Sequence, residues 1–149
     1  MPGYKAHIAV GSFSCLFLIY IISTLAHFCP TFLQFIGCFT CAVMGSIFPD
    51  IDTTSKAQRL FFIFSSIVLL TAIVFQAWFI FFNFSLISVI VMLLKHRTIT
   101  HNAFFLFTLS ISPILFSVLF LHGISTGVFL SALGFAVGAL SHLLLDFGL

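Results

Sequence analysis

Three acidic residues, Asp50, Asp52 and Asp146, and six histidines carry most of the chemistry this sequence offers. Imidazole and carboxylate are the side chains that bind zinc, manganese and iron. His142 and Asp146 are four residues apart in an apolar stretch, the spacing that sets two side chains on one helical face. His96 and His101 are five apart, which suits a helix end or a turn. Asp50 and Asp52 lie in Gly45-Ser-Ile-Phe-Pro-Asp-Ile-Asp52, where Pro49 breaks a long apolar run. His7 lies at the start of the first apolar run.

The surroundings of these groups are almost wholly apolar. Of 149 residues, 62% are hydrophobic and 5% charged, and 23 are Phe. A soluble domain carries about 25% charged residues, so the solvent of this chain must largely be lipid. The net charge of +2, with no basic stripe, gives no reason to expect a nucleic-acid partner; membrane lipids are the expected neighbours. Lys5 followed by an apolar run has the outline of a signal peptide. The run of about 20 residues exceeds the usual h-region of ~7–15 residues and shows no small-x-small cleavage site, so it reads as a retained helix. The cysteines, Cys15, Cys29, Cys38 and Cys41, have no zinc-ribbon spacing; Cys38-x-x-Cys41 lies inside an apolar run and reads as small packing residues.

The elements that must position the ligands follow from the apolar runs. Ala6 to Ala26 and Phe32 to Phe48 form two spans, and Asp50 to Arg59 is the longest polar segment. Leu60 to Leu94 would reach ~52 Å as one helix, against a hydrocarbon core of ~30 Å, so it reads as two helices turning near Phe82-Asn83-Phe84. After the polar island Lys95 to Asn102 come Ala103 to Leu121, with a kink expected at Pro113, a turn at His122-Gly123, and a last span from Ser125 to about Asp146. The fold class is therefore all-α, a polytopic membrane helix bundle of about six transmembrane helices, with residues 1–149 as a single domain.

Six spans put His7, Asp50, Asp52, His96, His101, His142 and Asp146 on one membrane face. That set holds four of the six histidines and every acid. All five Lys and Arg residues fall there too, which the positive-inside rule reads as cytoplasmic. Small residues recur at helical spacing: His7, Gly11 and Cys15; Gly37, Cys41 and Gly45; Gly134, Gly138, His142 and Asp146. Such stripes let helices approach closely in lipid, so spans one, two and six are expected to meet along them. A lone His or Asp at a helix end is often only an interfacial residue. Near the interface an acid costs little, against about 2.5–3.5 kcal/mol at a membrane helix centre, yet His142 and Asp146, within the apolar final span, resist that reading. His27 and His122, on the far face, do fit it. Lys56, Arg59 and Lys95 read as topology anchors, whereas Arg97 sits between two candidate ligands and has the geometry to bind a phosphate oxygen. Seven such groups exceed one tetrahedral site, so the expectation is one or two divalent ions, zinc or alternatively manganese.

These motifs, His7-x-x-x-Gly11, Pro49-Asp-Ile-Asp52, His96-Arg-Thr-Ile-Thr-His101 and Gly138-x-x-x-His142-Leu-Leu-Leu-Asp146, resemble those of the YdjM-like proteins across nearly the whole chain. These are LexA-regulated, membrane-bound, metal-dependent hydrolases of the bacterial inner membrane. Thr98 and Asn102 depart from the family's usual Gly and Ser without removing a ligand. The resemblance implies a metal-dependent hydrolase whose ligands come from the matched His and Asp positions. A looser likeness to zinc-dependent phospholipase C and P1-type nucleases implies a phosphoester or lipid-like substrate. On that view Arg97 stabilises developing negative charge, Asp52 serves as general base if it does not bind metal, and Thr100 either positions substrate or caps a helix. Two rivals share the same residues: a metal-ion or proton transporter, which calls for polar groups along the whole bundle, and a non-enzymatic protein stapled by a closed metal site.

Overall fold

The computed structural model describes residues 3–52, 55–76, 81, 85, 88, 89, 101–121 and 123–147. These form five long helices and one short 3-10 turn, and no strand among the described residues. The helices are α1 (Tyr4–Leu25), α2 (Phe32–Ile47), α3 (Lys56–Val74), α4 (Ala103–Leu121) and α5 (Thr126–Asp146), with the 3-10 turn Phe48–Asp52 following α2. Among the described residues, four stretches are long and apolar enough to cross a membrane: Tyr4–Leu25, Phe32–Ile51, Lys56–Val74 and Thr126–Asp146. Of the six spans expected from sequence, five thus have a helical counterpart, and the fourth, with its turn near Phe82-Asn83-Phe84, lies outside the described residues.

The bundle is built inside-out relative to a soluble protein. Phe13, Phe17, Phe104, Phe107 and Leu115 face outward, while the helix contacts are made by small residues. α5 packs along α2, and α1 lies against both. A Cβ placed on Gly138 would run into the Ala42 carbonyl, one on Gly134 into the Cys38 carbonyl, and one on Gly45 into the Phe135 carbonyl. Gly11 of α1 sits equally tightly on Ser46 of α2. The three glycines of α2 and α5 let backbone meet backbone, and Gly11 lets α1 close on the Ser46 side chain, which raises dispersion attraction where lipid gives no hydrophobic drive.

The three stripes do meet, with one correction. On α2 the fully buried small residues are Cys38 and Ala42 rather than Cys41, which is only half-buried. α2 is enclosed on two sides, so it needs small residues toward α1 as well as toward α5. Cys38 serves both, touching Cys15 Sγ at 3.7 Å and lying under Gly134.

Local chemistry fixes the helix ends. Thr31 and Gln34 form a reciprocal capping box at the start of α2. Ser55 caps α3 by accepting from the Gln58 amide, and its hydroxyl donates to the Asp50 carbonyl at 3.0 Å, tying the turn to the next helix. The polar segment that ends at Arg59 in the sequence reading is therefore partly helical: its last four residues, 56–59, are the first turn of α3. Pro113 lies within α4; proline cannot donate to the carbonyl four residues back, and the Ser112 hydroxyl takes that Leu109 carbonyl instead, at 2.8 Å.

Candidate metal centre

At one end of the bundle four elements deliver their polar residues to one point. The first is the 3-10 turn. Phe48, Pro49 and Ile51 are buried, and residues three apart in a 3-10 helix eclipse one another, so Phe48 and Ile51 plug into the same core with Phe61, Leu106 and Leu143. That leaves Asp50 on another side of the turn. Pro49 does not end the helix outright, as the sequence suggests; it tightens it, since a residue without an N–H breaks the α pattern but fits a short 3-10 segment.

The second element is the C-terminal end of α5. His142 is fully buried. Its Nδ1 lies 2.7 Å from the Ser46 carbonyl, an acceptor, so Nδ1 carries the proton and Nε2 holds its lone pair toward the site. Orientation of a ligating histidine through its other nitrogen is the usual support for a metal ligand. His142 Nε2 is 3.3 Å from Asp146 Oδ2, one turn along the helix, and 3.7 Å from Asp50 Oδ1.

The third element is the start of α4. Asn102 caps it, its Oδ1 accepting from the Phe104 and Phe105 amides, and this sets His101 just before the helix with Nε2 3.6 Å from Asp146 Oδ2. The cap falls on the residue that departs from the family's Ser, and Asn caps as well as Ser does. The fourth is the first turn of α1, which places His7, 1% exposed, with its Nε2 3.6 Å from Asp146 Oδ1.

One ligand atom each from Asp50, His101, His142 and Asp146 lie within 4.8 Å of one another. Two donors about 2.1 Å from a tetrahedral ion stand about 3.4 Å apart, and the four pairs described here are 3.3–3.7 Å apart. That is long for hydrogen bonds and right for ligands sharing an ion. His142 Nε2, Asp146 Oδ1 and His7 Nδ1 are buried without a hydrogen-bond partner. An unmet buried polar group costs about 1–3 kcal/mol, and a cation would meet the two of these that face the centre, His142 Nε2 and Asp146 Oδ1. The donor set, imidazole with carboxylate, suits zinc or manganese.

Of the seven ligands expected from sequence, His7, Asp50, His101, His142 and Asp146 come together. Asp52 closes the 3-10 turn, and its side chain lies outside the described residues, as do His96, Arg97 and Thr100. Lys5, Lys56 and Arg59 stand at this same end, in the first turns of α1 and α3, with Lys56 Nζ 5.9 Å from the Tyr4 ring. His27 is exposed, just beyond the opposite end of α1. Sequence reasoning missed the Ser46 carbonyl, which a backbone acceptor gives no residue code to reveal.

The family model for the YdjM inner membrane protein matches residues 1–148. The chain belongs to that family. The family description gives an inner-membrane setting, and the four apolar stretches among the described residues agree with a membrane protein. No curated protein and no solved structure matches it.

Proposed function

We propose that this YdjM-family protein is a membrane-embedded, metal-dependent hydrolase acting on a phosphoester or lipid-like substrate at the cytoplasmic face of the bacterial inner membrane. The carrying observation is the asymmetry of the centre. His142 and His7 form a buried wall, at 0% and 1% exposure, while Asp50 and His101 line the other side at 31% and 21%. A structural site is closed on all sides, whereas a catalytic one keeps an open position. Asp50, His101, His142 and Asp146 would hold the ion, which when bound supplies Lewis-acid polarisation and acidifies water. Asp146 and His142 fix its position from the rigid end of α5. Asp50, on a turn stapled by Phe48 and Ile51, lines the open, solvent-facing side. Asp52 is assigned as general base and Arg97 as the group that neutralises substrate charge.

A lipid-like substrate is supported by an apolar cavity of about 700 Å³ among α2, α3, α4 and α5, lined by Met44, Phe48, Phe61, Phe64, Leu109 and Phe135. It runs from Phe48, beside the centre, to Gln34 near the other end of α2, a reach of about 20 Å at 1.5 Å per residue. Ser110 and Ser112 on its wall donate to carbonyls of their own helix, so the lining offers hydrocarbon contact. A lipid chain in this space would bring its headgroup to the centre.

The transport reading has less support. Beyond the centre, the described α1–α2–α5 contacts are small and apolar residues, glycine, alanine and cysteine with Leu130 and Ile19, and the hydroxyls of Ser46 and Ser141 bond to their own helices. The deciding experiment is hydrolysis of phospholipids and chromogenic phosphodiesters by the purified protein, with zinc or manganese and with chelator. Metal-dependent turnover that His142→Ala abolishes is expected; none across a broad panel, with metal taken up into proteoliposomes instead, would favour transport.

A further inference from the structure

Asp146 faces histidines with both of its oxygens. Oδ2 is turned to His142 and His101, while Oδ1 is turned to His7. Oδ1 is buried and has no hydrogen-bond partner. The cluster of Asp50, His101, His142 and Asp146 thus leaves one carboxylate oxygen and one buried imidazole over, and these two lie 3.6 Å apart.

We propose that the centre is binuclear: His7 Nε2 and Asp146 Oδ1 take a second divalent cation, and Asp146 bridges it to the one held by Asp50, His101, His142 and Asp146 Oδ2. This rests on the reading of that cluster as a metal centre. The ring geometry carries it. His7 and His142 are stacked, with centroids 3.9 Å apart and planes inclined by 22°. Lone pairs of ring nitrogens lie in the ring plane, so two stacked rings aim at two levels rather than at one point. Each level meets its own oxygen of the same carboxylate. Ions in two-metal sites stand about 3.5–4 Å apart, which is the spacing of the stack.

Burial supports the same assignment. His7 lies at the start of a membrane helix, yet it is 1% exposed, with its Nε2 turned inward to Asp146 Oδ1. An interfacial histidine would turn such a group to water. Gly11, one turn further along α1, sits so close to Ser46 that a Cβ there would overlap that side chain, and this contact holds the first turn of α1, and His7 with it, against the centre. Among the described residues the second position has two protein ligands. A zinc or manganese ion would complete its shell with water or substrate oxygens, as ions with few protein ligands do. Chemically this makes the pair suited to an in-line displacement at phosphorus, where one ion serves the attacking oxygen and the other the leaving oxygen.

The test uses the purified full chain, loaded separately with zinc and with manganese. Elemental analysis is expected to give two equivalents of zinc in the wild type and one in His7→Ala. Electron paramagnetic resonance of the manganese-loaded wild type is expected to show an exchange-coupled pair, replaced in His7→Ala by the six-line signal of an isolated ion. One equivalent and an isolated signal in the wild type overturn the binuclear proposal and leave the single centre standing, with His7 merely orienting Asp146. No bound metal in the wild type overturns the cluster reading itself. Loss of both ions from a His7→Ala protein with wild-type helix content and gel-filtration profile overturns the assignment of His7 to a separate second ion. The wild-type spectrum decides the matter even where the variant fails to fold.

Discussion

At the scale of the residue, the centre depends on where one proton sits. The Ser46 carbonyl takes the Nδ1 proton of His142 and leaves Nε2 bare, buried and facing two carboxylates. His142→Ala should therefore lower metal retention at least ~100-fold, more than the ~10–100-fold typical of changes that act through a ligand's supporting partner. His27→Ala, exposed beyond the far end of α1, should leave it unchanged; zinc titration with a competing chelator separates the two. Asn102→Ala tests support rather than ligation. Loss of its two amide contacts should cost α4 about 1 kcal/mol and loosen His101, so that metal binding weakens while the remaining ligands stay in place. The identity of these residues was legible in the sequence, because acids are so scarce in it that each one needs a reason. The stacking of His7 on His142 was not, since no spacing rule relates two residues on helices that meet only after folding.

At the scale of the element, small residues rather than hydrophobic ones set the architecture. Gly134 and Gly138 put α5 directly on the carbonyls of Cys38 and Ala42, and His142 and Asp146 continue the same face. Gly138→Leu should force α2 and α5 apart, lower stability by about 1–3 kcal/mol, the usual cost of overpacking, and reduce metal binding, since Ser46 on α2 would be drawn away from His142. Gly123→Ala, where a Cβ meets nothing within 4 Å, is the matched control; thermal unfolding in detergent with and without zinc reads both. The stripes themselves were visible from the i, i+4 recurrence of Gly and Cys. Their partners on α2 were less so: Cys41 and Ala42 are equally small, and only the enclosure of α2 by two helices decides which is buried deepest. The start of α3 was misread for a different reason. Lys56, Gln58 and Arg59 look like loop by composition, but polar residues are expected in a helix turn that leaves the membrane, and Ser55 supplies the cap that begins it.

At the scale of the whole molecule, the described residues at the two ends of the bundle differ in charge, and that difference is the basis of the proposed orientation. The centre shares its end with Lys5, Lys56 and Arg59, while the connection from α1 to α2 at the other end carries Cys29 and His27 and no Lys or Arg. Positive residues flanking spans stay in the cytoplasm, so the proposed orientation puts that connection outside. The chain reports on this through its own cysteines. Cys29 is exposed, whereas Cys15 and Cys38 are buried between helices and Cys41 lies within α2. A membrane-impermeant maleimide added to intact spheroplasts should therefore label the protein once, and Cys29→Ser should remove the label. Labelling that appears only after permeabilisation would turn the bundle over and put the metal centre on the outer side. The same orientation bears on substrate. A lipid chain lying in the cavity beside Phe48 and Phe61 would place its headgroup at the charged end, so a phosphoester there would be met by Lys5, Lys56 and Arg59 as well as by the centre. Reversing Lys56 and Arg59 to Glu should then weaken KM for an anionic phospholipid severalfold more than for a small chromogenic phosphodiester, with kcat little changed. Equal effects on both substrates would assign these residues to topology alone.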